Sequence, residues 1–177
     1  MENYKQLEAQ GNQEYLERLN SIGWFDYPQN DRKILTDKIN ESTDDFYLHL
    51  HHFAIFSEDF YEIEDYINIL KTLNEISGVN FEFPEFNVND DDNIINIKFT
   101  ITDNKFELNF DMNEPIMIPQ IESEFNAVFH KLNLNSRLLW LPLESGIYFY
   151  VFIPVELYKK AVKDGIIPEE SEYFESL

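Results

Sequence analysis

Asp45, His49, His51 and His52 stand within eight residues of one another and carry the side chains of this sequence best suited to chemistry. On a helix, Asp45, His49 and His52 share one face at spacings of four and three, which suits a divalent metal. Ser42 and Thr43 ahead of Asp44 and Asp45 make a good helix start, with acids near the positive end of the helix dipole. Residues 44–57 are therefore expected to be helical, although Phe46, Leu48, Leu50, Ala54 and Phe56 also alternate as a strand would. A metal-dependent hydrolase built on His49 and His52 is the enzymatic alternative. The stretch lacks the His-Glu-x-x-His arrangement of a metalloprotease. Packing or surface histidines in an aromatic-rich segment explain it more simply. No metal, cofactor or catalytic residue is assigned.

Other chemistries find less support. Asp90-Asp91-Asp92-Asn93 departs from the alternating acid spacing of a calcium loop and reads as a solvated turn. The five glycines, 11, 23, 78, 146 and 165, form no phosphate-cradling cluster. Arg18, Arg32 and Arg137 are the three arginines, few for a phosphoryl clamp. No Gly-x-Ser-x-Gly elbow occurs. The absence of cysteine removes thiol nucleophiles, disulfides and thiolate metal sites. No apolar run approaches the ~20 residues of a membrane span, and the polar start has no signal-peptide pattern, so the expected location is the cytoplasm.

Charge is the feature that points to a partner. The net charge is −21, a field that repels nucleic acid and anionic lipid and speeds encounter with a basic protein. It is unevenly spread: from Ile39 to Ile97 fourteen acids face one base, Lys71. Charge that served solubility alone would be interspersed with lysines. The expected partner-binding residues are Glu58, Asp59, Glu62, Glu64, Asp65, Asp90, Asp91 and Asp92, with Tyr148 and Tyr150 as aromatic anchors.

The elements that must position these residues follow from periodicity. Residues 2–21 read as a helix stopped by Gly23, with Gly11 and Asn12 weakening its middle. An aromatic loop at 23–28 and a short helix over 30–41 follow. Residues 60–77 carry one apolar stripe, Ile63, Tyr66, Ile67, Leu70, Leu73 and Ile76, and Gly78 closes the helix. Residues 95–101 and 106–112 alternate as two strands. A loop at 103–104 pairs Ile101 with Phe106, Phe99 with Leu108 and Thr100 with Glu107. Residues 79–88 add an irregular edge strand interrupted by Pro84. A helix over 119–133 precedes a second hairpin, Arg137 to Leu143 and Ile147 to Ile153, apolar on both faces and therefore central or partnered. Pro154 opens a last helix as a first-turn proline, and Gly165 closes it.

The ending Arg137-Leu138-Leu139-Trp140-Leu141, Ile147-Tyr148-Phe149-Tyr150-Val151-Phe152-Ile153-Pro154, Glu156-Leu157-Tyr158-Lys159-Lys160 and Ile166-Ile167-Pro168 resembles that of bacterial immunity proteins. Those proteins neutralise polymorphic or contact-dependent toxins. The likeness covers about forty residues and carries no diagnostic motif, so no functional residue transfers with it. It implies a small, acidic, cytoplasmic inhibitor that plugs the active site of a basic toxin. A structural or regulatory module that binds another protein without inhibiting it is the further alternative, and the expected state is monomer or homodimer, the latter through the second hairpin. The expected fold is a single α+β domain over 1–177, with a helical N-terminal layer packed on an antiparallel sheet. In that reading 1–78 are mainly helical, 79–167 follow the order β-β-α-β-β-α, and 168–177 form a loosely held acidic tail.

Overall fold

A computed structural model of the chain describes residues 2–27, 30–56, 63–80, 82–89, 94–101, 103–111, 118–143 and 147–177. It is an α+β fold with antiparallel sheets, made of two compact units interleaved along the sequence.

The first unit comprises Met1–Ala54, Asn135–Ser145 and Phe149–Leu177. Its N-terminal helix is two helices, α1 (Glu2–Glu8) and α2 (Asn12–Ser21), because Gly11 takes φ +91° and turns the chain between them. Apolar residues at approximate helical spacing line up across the break: Leu7, Tyr15, Leu19 and Ile22 are all buried. Gly23 ends α2 in the left-handed region and feeds a 3-10 turn, Trp24–Asp26, whose Trp24 is fully enclosed. Enclosing a side chain of that size contributes on the order of 3 kcal/mol. Helix α3 (Arg32–Glu41) is capped by the Asp31 carboxylate, which accepts from Ile34 N–H at 2.9 Å.

Residues 44–57 correct the helical expectation. Asp45 sits at φ +48°, which stops a helix at its start. A 3-10 turn, Phe46–Leu50, then runs into β1 (Phe53–Phe56). The strand buries Phe53 and Ile55, one residue out of step with the alternation anticipated for a strand.

The sheet of this unit has the order β1-β6-β5, with β5 (Ser136–Leu141) and β6 (Ile147–Pro154) forming the second hairpin. Strand β6 is central, one of the two outcomes its apolar faces allowed, while β5 lies at the edge. Leu139, Leu141, Val151 and Ile153 join the core that the N-terminal helices build, and Leu138, Tyr150 and Phe152 are buried on the opposite face. Pro154 is the N-cap of α6 (Val155–Lys163) rather than its first-turn residue; its extended backbone ends the strand and Val155 begins the helix. The acidic end is not loose. Helix α7 (Ser171–Ser176) is capped by the Glu170 carboxylate, and Tyr173, Phe174 and Leu177 pack against the core. Tyr173 accepts the Trp140 N–H at 2.9 Å and Tyr158 donates to the Trp140 carbonyl at 2.6 Å. Two tyrosine hydroxyls thus take the backbone groups that β5 turns away from β6.

The second unit comprises Ile55–Leu134 and Gly146–Tyr148. Helix α4 (Ile63–Ser77) buries Ile69, Leu70 and Leu73 and ends at Gly78, φ +66°. Strands β2 (Glu82–Asn89), β3 (Ile94–Ile101) and β4 (Asn104–Asp111) follow in that spatial order. The β2–β3 ladder slips by one residue between Glu82 and Glu85, at Pro84, which has no N–H to donate.

The β3–β4 hairpin corrects the expected register by two residues. Ile101 pairs with Asn104, Phe99 with Phe106, Ile97 with Leu108 and Lys98 with Glu107. A slip of two leaves every side chain on its face, so Ile95, Ile97 and Phe99 still meet apolar partners and only Ile101 exchanges one for Asn104. The observed register also brings Lys98 Nζ to 3.8 Å from the Glu107 carboxylate, while Asp103 takes φ +67° at the turn. Phe99 stacks on Phe106 and reaches Phe125 of α5 (Ile118–Lys131), whose Ile121, Phe125, Val128 and Phe129 are buried.

Gly165 tests the packing of the first unit. At φ +73°, a Cβ there would lie 2.8 Å from the Asn3 carbonyl oxygen, whereas a Cβ on Gly11 would meet nothing within 4 Å. Gly11→Ala should cost about 1 kcal/mol through backbone strain alone, and Gly165→Ala about 3 kcal/mol through strain plus collision. Urea unfolding of the two variants checks the order; equal losses would contradict it.

Candidate functional site

His51 and His52 are tied into the backbone around them. His52 follows the 3-10 turn, and its backbone N–H donates to Tyr150 O at 2.8 Å. Its ring then bridges three segments. Nδ1 accepts the Phe152 N–H at 2.9 Å, so Nε2 holds the proton and donates to Asn30 Oδ1 at 2.7 Å. Asn30, a buried polar side chain, passes the chain on by donating from Nδ2 to the Trp24 carbonyl at 2.6 Å. A single neutral tautomer satisfies every bond. Burial, assisted by nearby His51 and Lys38, pushes the His52 pKa down to about 4. His51 donates from Nδ1 to the Leu48 carbonyl and lies 4.6 Å from the Phe149 ring. Burial lowers the pKa of His51 and His49 as well.

These contacts dismantle the metal geometry read from a helix. Asp45, His49 and His52 share no helix face, because the turn at Phe46–Leu50 is short and His52 lies beyond it. Both His52 nitrogens are engaged, which leaves no lone pair for a ligand bond. Among the described residues no group of three His, Asp or Glu side chains is arranged to hold a metal ion.

The acidic residues divide between the two units. In the first, Glu41, Asp44 and Asp45 occupy the exposed end of α3 and the turn beyond it. Sequence spacing gives no hint of what anchors them. Glu8, thirty-seven residues away from Asp45, accepts the Asp45 N–H and the Tyr4 hydroxyl on one carboxylate oxygen. That pairing stabilises the left-handed backbone at Asp45. Desolvation, then the neighbouring Glu8 and Asp44 charges, raises the Asp45 pKa. Desolvation and the Asp45 and Glu8 charges push Tyr47 up to about 12, and its hydroxyl donates to Pro142 O at 2.6 Å. In the second unit Glu75 and Glu82 are exposed on α4 and β2. None of these five acids forms a salt bridge among the described residues, unlike Glu14 with Arg18, Asp37 with Lys33 and Glu107 with Lys98.

Of the expected partner-binding residues, Glu64 and Asp65 lie in the first turn of α4. Glu58, Asp59, Glu62, Asp90, Asp91 and Asp92 lie outside the described residues. Tyr148 is half-buried. Tyr150 is 1% exposed, with its ring 6.3 Å from that of Phe53, so it serves the interior rather than a surface. No described helix is long and apolar enough to cross a membrane.

His52 ties stability to pH. Between about pH 6.5 and about pH 4 the unfolded chain takes up a proton at His52 that the folded chain excludes. Its contribution is complete above the unfolded value and declines as pH falls through that window, by about 3 kcal/mol in total. His52→Gln should lose this part of the pH slope. Urea titrations of both proteins at the two ends of the window give the comparison, and parallel slopes would refute it. Comparison with known proteins offers no shortcut: no family model matches the chain, and no curated protein or solved structure is similar to it.

Proposed function

We propose that this chain is an acidic protein-binding module of the immunity type, which neutralises a basic toxin by covering its active site. The observation that carries the reading is the stretch from Ile39 to Ile97, where fourteen acids stand against one lysine. Its described members Glu41, Asp44, Asp45, Glu75 and Glu82 are exposed and make no salt bridge among the described residues. Exposed carboxylates without cations of their own raise the rate at which a basic surface is met, and are ready to pair with it. The C-terminal resemblance to immunity proteins points the same way. The engagement of both His52 nitrogens withdraws support from a hydrolase on that histidine.

The test uses the purified chain and the protein encoded beside it in the genome. The association rate should fall steeply with added salt while the dissociation rate changes little. Glu41→Lys combined with Asp44→Lys should slow association about tenfold at low salt. The absence of a complex, or an association rate indifferent to salt, rejects the reading.

A further inference from the structure

We infer that the outer edge of β4 is a self-pairing site, where two copies of this chain join their three-stranded sheets into one of six. Strand β4 is the last strand of its sheet. The pair that closes a two-residue hairpin, here Ile101 and Asn104, exchanges both its backbone hydrogen bonds, and bonded pairs alternate from there. Phe106 and Leu108 therefore direct their backbone groups at β3, and Lys105 and Glu107 direct theirs outward. Beside this edge runs a cavity of about 260 Å³ between β4 and α5. Phe106, Leu108, Ala127 and Val128 supply its apolar surface. The contrast with β5 is sharp, since there tyrosine hydroxyls hold the outward groups of Trp140.

Charge selects the occupant and its register. Lys105 and Glu107 are exposed neighbours on one face of the strand, of opposite sign. In an antiparallel pair of two β4 strands centred on Phe106, Lys105 of each copy stands opposite Glu107 of the other. The two Phe106 rings then meet on the face toward α5. The same pairing makes Lys105 and Glu107 a hydrogen-bonded pair, so the outward amides and carbonyls are satisfied in both directions. Sliding the register by two residues either way sets Lys105 against Lys105 or Glu107 against Glu107, which is unfavourable. Of these three registers, the one centred on Phe106 is self-complementary, as a twofold interface demands. Glu107 keeps its contact with Lys98 inside each sheet, 3.8 Å away, and gains a second cation from the partner side.

Sedimentation equilibrium from micromolar to millimolar protein reads the outcome. The wild type should show a concentration-dependent dimer. Lys105→Glu or Glu107→Lys alone places like charges opposite at both symmetric positions and should weaken the dimer about tenfold. The double variant Lys105→Glu/Glu107→Lys restores opposite pairs and should recover it. Thermal melts of each variant separate loss of dimer from loss of fold. A wild type monomeric throughout the range overturns the proposal, and so does a double variant no better than the singles. In the first case the edge is left to a strand from another protein, and in the second the dimer uses a different surface.

Discussion

The constraint on which the first unit rests is that its central strand is buried on both faces from Tyr150 to Ile153. Every amide and carbonyl of β6 must then be matched inside the protein, because an orphaned buried group costs about 1–3 kcal/mol. On the β5 side an ordinary ladder does this. On the other side β1 begins at Phe53, and the Phe152 amide is met by the residue just ahead of that strand. The ring of His52 fills that position by accepting the amide. The same ring grips Asn30, and Asn30 grips the carbonyl of Trp24. A strand, a 3-10 turn and the segment ahead of α3 are thereby fixed to each other through one imidazole, which must stay neutral to do so.

The two sheets manage their edges by different means. Side chains from later in the chain serve β5, with the Tyr158 and Tyr173 hydroxyls standing in for a fourth strand. That device needs aromatic rings held perpendicular to each other, and the Tyr158–Tyr173 and Trp140–Tyr173 contacts are both edge-on. Strand β4 has alternating charge in place of such a cover. Lysine on an edge ordinarily discourages pairing, yet a lysine followed two positions later by a glutamate also defines a partner strand running the opposite way.

Much of this was legible from residue types. The helices at α3, α4, α5 and α6, the two hairpins and the central place of β6 follow from apolar periodicity and the glycine stops. The register of the first hairpin did not, for a definite reason: a two-residue slip leaves every side chain on its own face and costs only the apolar partner of Ile101, so hydrophobic pattern alone discriminates poorly. The left-handed Asp103 and the Lys98–Glu107 pair belong to the register actually formed. Asp45 defeated the helix expected at 44–57 in a similar way, since its positive φ rests on the distant Glu8. The acidic span was plain as charge, but its anchoring on Tyr4 and Glu8 was not. The histidine ring chain was hidden too, because all its partners lie in other segments.

The bond between Tyr15 and the Ile166 carbonyl, 2.9 Å long, and the close approach of Gly165 to Asn3 join residues about 150 positions apart. They set an order of events during synthesis. The second unit draws almost all of its residues from one continuous run, Ile55–Leu134, so it can assemble as soon as that run has left the ribosome. Helices α1 to α3 precede that run yet wait longer, because the strands and the helix that cover their apolar faces come from Asn135 onward. For that interval these three helices expose the surface most in need of burial, and the exposure lasts as long as translation takes to supply its cover.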